Sequence, residues 1–285
     1  MAVPGSSCRQ PTSPSSSPEP SAAATWTTKR VCLVVPDATR TCPLPLLLRA
    51  ARDALAGRAH SVTVVIALGT HQRMDEAHLA QHLGYQVGEL DQTYPGWTIH
   101  NHESWLPETF TSLGTIGAER LTELTGGLMT DTSVEVRINR HIADADVAIV
   151  VGPVFPHEVV GFSGGNKYFF PGVSGPEPID LSHWVGALIT SARDDRHPWG
   201  HPGPGPDQRG RHLDPRQRLA LCLVVASGTD TLRSIAFGTP EDAWAASAAV
   251  SSGRVAALTS QPQGPPSPQV VAKPAGFVRG KTVKS

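Results

Sequence analysis

Three nearly uninterrupted apolar runs, rich in β-branched residues, limit what this chain can fold into: Val31–Val35 (VCLVV), Ser61–Leu68 (SVTVVIAL) and Asp146–Val151 (DVAIVV). A strand with one wet face alternates apolar and polar residues, whereas a strand apolar along its length must be covered on both faces. Between the first two runs, Leu44–Leu55 shows helical periodicity, with an early proline that a first turn tolerates. Asp75–Leu83 repeats the pattern as a shorter helix after the second run. Buried strands alternating with helices predict an α/β fold, a mostly parallel sheet with helices on both faces.

In a parallel sheet every strand delivers its carboxyl end to the same edge, where ligands bind. Each run here empties into a polar turn: Asp37-Ala38-Thr39-Arg40, then Gly69-Thr70-His71, then the stretch from Pro156 to His183. The last of these, PHEVVGFSGGNKYFFPGVSGPEPIDLSH, sets two histidines and a lysine among glycines and prolines. Its Ser163-Gly164-Gly165-Asn166-Lys167 turn offers backbone donors and a flexible ammonium. Asp37, Arg40, His71, His157 and Lys167 are therefore expected to converge on one edge. Taken alone, Lys167 reads as a phosphate contact, His71 as a base or a histidine bonded to a backbone carbonyl, and Asp37 with Arg40 as a loop ion pair.

Acidic and basic residues nearly cancel, to a formal net charge of −1, which offers no footprint for nucleic acid or an anionic membrane. The four cysteines lack zinc spacing. Cys32 and Cys222 sit in apolar runs and read as small buried hydrophobes, a usage that fits a reducing cytoplasm. Residues 1–27, rich in Ser, Pro and Ala, read as a disordered tail without the apolar centre of a signal peptide. The longest apolar run, Leu219–Ala226, is far shorter than the roughly 20 residues of a membrane helix.

Elsewhere the pattern is weaker. Trp97, Trp105 and Phe110 are expected in a meandering strand segment, Leu124–Thr132 in a surface loop, and His102 in a structural role. Residues 193–216 are rich in Gly, Pro and Arg and read as a linker. His197, His201 and His212 within it lack flanking elements that would make a metal site of them. Beyond it come an apolar segment, Gln217–Ala226, a short strand, Leu232–Phe237, and an alanine-rich helix from Pro240 to Val250. The expected organisation is a tail (1–27), a first domain (28–192), a linker (193–216) and part of a second α/β domain (217–285).

Three motifs give these residues a family. DATR at 37–40, ALGTH at 67–71 and PHEVVGFSGGNKYFFPGVSG at 156–175, with His183 trailing, occur in order and each at a strand exit. The chain resembles the nickel-pincer lactate racemase (LarA-like) family of 2-hydroxyacid racemases and epimerases over residues 28–258. The resemblance implies an isomerase carrying a nickel-pincer nucleotide, a pyridinium-3,5-bisthiocarboxylic acid mononucleotide that holds nickel between two sulfurs and a carbon. Lys167 matches the lysine that binds this group covalently, and His183 the histidine that completes the square-planar nickel site. His71 and His157 match the alternating acid and base, and Arg40 a substrate contact. Asp37, Thr39, Gly164 and Gly165 match the cofactor edge. Lys281 or Lys284 is the candidate for a second-domain lysine.

The implied partners are a small 2-hydroxy acid and the enzymes that synthesise the cofactor, with neither nucleic acid nor membrane. The chemistry suits the residue types: moving the substrate hydrogen as hydride avoids a carbanion beside a carboxylate. A histidine with an unperturbed pKa of about 6.5 can take the hydroxyl proton on either face. Two other readings stand beside this one. The first is a truncated, inactive homologue that binds only a nucleotide or a partner. The second is a phosphate-binding α/β protein that uses Gly164, Gly165 and Lys167 without nickel.

Overall fold

The computed structural model describes residues 28–127, 129–157, 161–177, 179–180, 217–226, 229 and 231–259. The three apolar runs become strands β1 (Arg30–Pro36), β2 (Ser61–Ala67) and β6 (Val147–Pro153), and all seven residues of β6 are buried. β1 lies in the middle, parallel to β2 on one side and to β6 on the other. Helix α1 (Leu44–Leu55) follows β1 and turns Leu44, Leu47, Leu48 and Leu55 inward, the three-and-four spacing of an amphipathic helix. Helix α2 (Glu76–Leu83) begins at Asp75, whose carboxylate accepts the His78 amide. It ends at Gly84 in the left-handed region, where a Cβ would lie 2.5 Å from the ring of Pro45.

After the short helix α3 (Leu90–Thr93), strand β3 (Trp97–Asn101) joins β2 in parallel. Right-handed crossovers running β1–β2–β3 put α1 and α2 on one face. There they cover Val31, Leu33, Val64 and Ile66. The chain then returns across the other face through the antiparallel pair β4 (Phe110–Ile116) and β5 (Val134–Asn139), with α4 (Ala118–Leu124) between them. Helix α5 (Arg140–Ala143) follows, and beyond β6 two short strands, β7 (Pro156–His157) and β8 (Gly161–Phe162), pair antiparallel. This return buries Ile138 and Ile142 over Val34, Val65 and Val150, a second core. The helices-on-both-faces architecture expected from the runs is the one found.

The second-domain boundary is a correction. Gln217–Val225 forms β9, which pairs with β6 in parallel, and β10 (Leu232–Gly238) pairs antiparallel with β9. Among the described residues the main sheet has six strands, in the order β10-β9-β6-β1-β2-β3. A change of composition before residue 217 resembles a boundary, but backbone pairing carries the chain back into the first sheet. Helix α6 (Pro240–Thr259) packs on β9 and β10 beneath the second core. Its first turn is tied by Thr239 and Asp242, each accepting from or donating to the other. The expected tail (1–27), the linker with His197, His201 and His212, and Lys281 and Lys284 lie outside the described residues. Among the described residues no helix is long and apolar enough to cross a membrane.

His102 is structural, as its context predicts. It is fully buried; Asn139 Nδ2 donates to Nδ1 at 3.2 Å, which leaves Nε2–H to donate to the Ser174 carbonyl at 3.1 Å. Burial pushes its pKa down to about 4. A histidine held neutral in the fold but free to protonate when unfolded stabilises the protein above pH ~6.5, and that stability is lost as pH falls towards 4. Denaturant unfolding at pH 7 and pH 5 should differ by roughly 2 kcal/mol from this group alone, with lower stability at pH 5. A flat profile over that range would contradict the buried neutral histidine. The stacked pair His100–His141, rings 3.9 Å apart, shifts in the same direction, mainly through burial.

Candidate active site

The exits of β1, β2 and β6 enclose a cavity of about 220 Å³. Asp37 and Arg40 enter it from the first exit, His71 from the second, and His157 and Lys167 from the third, with Gly164 at its wall. Parallel register explains the meeting: Pro36 stands opposite Ala67, so the turns that follow emerge side by side. Among the described residues that line it, four side chains are cationic or able to become so and one is a carboxylate.

Asp37 is buried and fully engaged. Its Oδ2 lies 2.5 Å from His71 Nδ1, while Oδ1 accepts from the Thr39 hydroxyl at 2.6 Å and from the Thr39 amide at 3.2 Å. The carboxylate thus belongs to His71 and not to an ion pair with Arg40. A carboxylate on Nδ1 fixes the ring orientation and favours the tautomer with hydrogen on that nitrogen, which turns Nε2 into the acceptor. Thr39 is exposed and does not line the cavity; its contribution is to hold Asp37. Arg40 packs its guanidinium over the ring of Phe155, 5.3 Å from the centroid, which orients a long side chain at the cavity mouth.

The loop bearing Lys167 is built on close backbone approach. Gly164 has φ +85 and ψ −172, a combination almost reserved for glycine, and a Cβ there would lie 2.9 Å from the Pro153 carbonyl. Gly165 turns away from the cavity and packs against Trp244 of α6. Trp244 Nε1 donates to the Ser163 carbonyl at 2.9 Å, and Asn166 Nδ2 donates to Glu241 at 2.8 Å, so α6 anchors this loop from behind. The loop's backbone donors are not all available: Ser163 N–H goes to Phe155 O and Lys167 N–H to Gly164 O.

Phe155, Tyr168, Trp244 and the Asp37–His71 pairing were not visible as site features in the sequence. Gly152, near the end of an apolar strand, was the one local signal for the close approach of Tyr168. His183 lies outside the described residues. Among those described, no group of three or more His, Cys, Asp or Glu could hold a metal ion.

The comparisons agree with this architecture. Lactate racemase from Thermoanaerobacterium thermosaccharolyticum is 27% identical over 159 residues, which are 54% of this chain and 32% of that protein. A crystal structure of a Thermotoga maritima protein superposes with a TM-score of 0.66 at 23% identity, covering 81% of this chain and 56% of that one. The lactate racemase apoprotein from T. thermosaccharolyticum superposes with a TM-score of 0.55 at 19% identity, covering 78% of this chain and 48% of that one. The chain thus spans about a third of the curated relative and about half of the solved chains. The family described as "Lactate racemase N-terminal domain" matches residues 12–195, well over half of the 285, and the chain belongs to it.

Proposed function

We propose that this protein is a nickel-pincer-nucleotide-dependent racemase or epimerase of a 2-hydroxy acid. The observation that carries the reading is the convergence of Asp37, Arg40, His71, His157 and Lys167 on one cavity. The residues fit the group. Lys167 brings a primary amine into the cavity, and Gly164 gives a wall without a side chain. With no cluster of protein ligands among the described residues, a metal here would draw most of its donors from the bound group itself. His183 remains the proposed protein ligand on the strength of its place in the motif.

When bound, that group supplies a site that takes and returns the substrate's C2 hydrogen as hydride. The side chains do the rest. Arg40, held over Phe155, pairs with the substrate carboxylate through its planar fork. His71 Nε2 takes the hydroxyl proton on one face as the oxygen becomes a carbonyl, with Asp37 stabilising the resulting imidazolium. His157 does the same on the opposite face, so hydrogen returned to either side finds a proton waiting for the oxygen. Lys167 contributes attachment, which fixes the reacting partners at high effective concentration.

Protein made together with the cofactor-synthesis enzymes should carry a covalent mass adduct at Lys167 and stoichiometric nickel. Lys167→Gln should lose the adduct completely. Unmodified protein without nickel under those conditions would overturn the assignment.

A further inference from the structure

The loop that carries His71 runs over the surface. Thr70, His71, Gln72 and Arg73 are all exposed, and 53% of the His71 side chain is accessible. Arg73 approaches Glu103 at 3.7 Å, an exposed ion pair of a kind worth little. Packing and surface charge therefore do little to place this loop, and main-chain hydrogen bonds at its two ends do more. At the near end Gly69 N–H donates to the Gly172 carbonyl at 3.1 Å, and His71 N–H closes a turn onto the Leu68 carbonyl at 2.8 Å.

At the far end stands Asn101, the last residue of β3, which faces Ile66 in the parallel register and does not line the cavity. Its side-chain amide grips one residue of the loop from both sides. Oδ1 accepts the Met74 N–H at 3.1 Å, and Nδ2 donates to the Met74 carbonyl at 2.9 Å. A primary amide suits this task because it holds an acceptor and a donor side by side. The two bonds act as one more step of strand pairing, beyond Ala67, where β2 has already ended. Without them, the residues between the Leu68 turn and α2 keep the partial burial of Met74 against the first core and the Asp37–His71 bond.

We infer that Asn101 is a positioning residue for His71: by fixing Met74 it sets the loop so that the ring meets Asp37 and presents Nε2 to the cavity. The inference rests on the proposed role of His71 as acid and base. Misplacing such a group by about 1 Å costs on the order of 100-fold in rate, so a clamp outside the cavity can matter as much as a residue inside it.

Nitrogen-15 NMR of the full chain, without cofactor and with the imidazole neutral, reads the tautomer of His71 directly. Wild type should hold its hydrogen on Nδ1, the nitrogen that faces Asp37. Asn101→Ala should give an averaging mixture of the two tautomers. Asn101→Asp is isosteric but cannot donate to the Met74 carbonyl, so it should shift the signals in the same direction and serves if the alanine variant fails to fold. Thr98→Ala removes the Thr98–Thr63 bond from the same strand and should leave His71 as in wild type, which separates positioning from a general weakening of β3. In cofactor-loaded protein, Asn101→Ala should lower kcat about 100-fold, with KM nearly unchanged and the Lys167 adduct still forming. Identical His71 signals in wild type and both Asn101 variants would overturn the inference, as would a changed tautomer with unchanged kcat. A changed tautomer in a protein that takes up neither adduct nor nickel would uphold the clamp on His71 and overturn the proposed reaction.

Discussion

On the proposed function, Asp37→Asn should lower racemisation by the cofactor-loaded protein by about 10³–10⁴-fold in kcat while leaving the fold intact, the scale of loss seen when a histidine's orienting aspartate becomes an amide. The substitution is nearly isosteric, and its carbonyl oxygen can still accept the Thr39 hydroxyl and amide now held by Oδ1. The change falls on His71. In place of an oxygen at 2.5 Å, Nδ1 would face an amide NH₂, which can only donate. The ring is then driven to the tautomer with hydrogen on Nε2, the nitrogen proposed to accept the substrate's hydroxyl proton. Stabilisation of the imidazolium is lost at the same time. Thermal unfolding within a degree or two of wild type, with the Lys167 adduct still forming, would separate this effect from misfolding or failed loading. Unchanged kcat would remove Asp37 from the acid–base apparatus and leave it as a turn residue.

That pairing also marks how far the sequence can be read. Apolar runs with no polar face dictate buried parallel strands, so β1, β2 and β6 could be located, and with them the edge where Asp37, Arg40, His71, His157 and Lys167 gather. Which of those groups bond to one another depends on rotamers and turn geometry, which periodicity does not encode. Asp37 and Arg40, three residues apart, make the obvious ion pair on paper. In space the carboxylate turns to His71, 34 residues away, because the neighbouring strand ends in register beside it.

The placement of β9 and β10 was hidden for a related reason. An apolar segment says that it is buried but not which strand it pairs with, and the intervening Gly- and Pro-rich residues look like a division between domains. His102 was easier, since it follows none of the three long apolar runs; it comes directly after β3 and is buried between the Asn139 side chain and the Ser174 carbonyl. The packing of Tyr168 on β6 was out of reach, apart from the isolated Gly152, whose missing side chain is explained only once Tyr168 is seen lying on it.

Gly164→Ala is the substitution expected to damage the protein most at the level of structure. At φ +85 and ψ −172 an L-residue is strained by about 1–3 kcal/mol before any contact is considered. The new methyl would also come within 2.7 Å of Val154 Cγ2 and 2.9 Å of the Pro153 carbonyl, and the second of these is backbone that cannot rotate away. Overpacking of that kind adds about 1–3 kcal/mol, so a total near 3 kcal/mol is expected. For a chain of this size that lowers the melting temperature by roughly 6–12 °C. The strain can be relieved only by moving the loop off β6, yet the loop is held from behind by the Trp244–Ser163 and Asn166–Glu241 hydrogen bonds. Relief therefore shifts Lys167, whose amide bonds back to the Gly164 carbonyl. Gly164→Ala should thus both melt early and form the Lys167 adduct poorly at temperatures where it is still folded. Gly57→Ala is the control: Gly57 also has positive φ, but nothing lies within 4 Å of its added methyl, so this variant should show the backbone strain alone, with Lys167 unaffected. Equal losses of stability in the two variants would show that close approach to β6, and with it the anchoring of the lysine loop, contributes nothing.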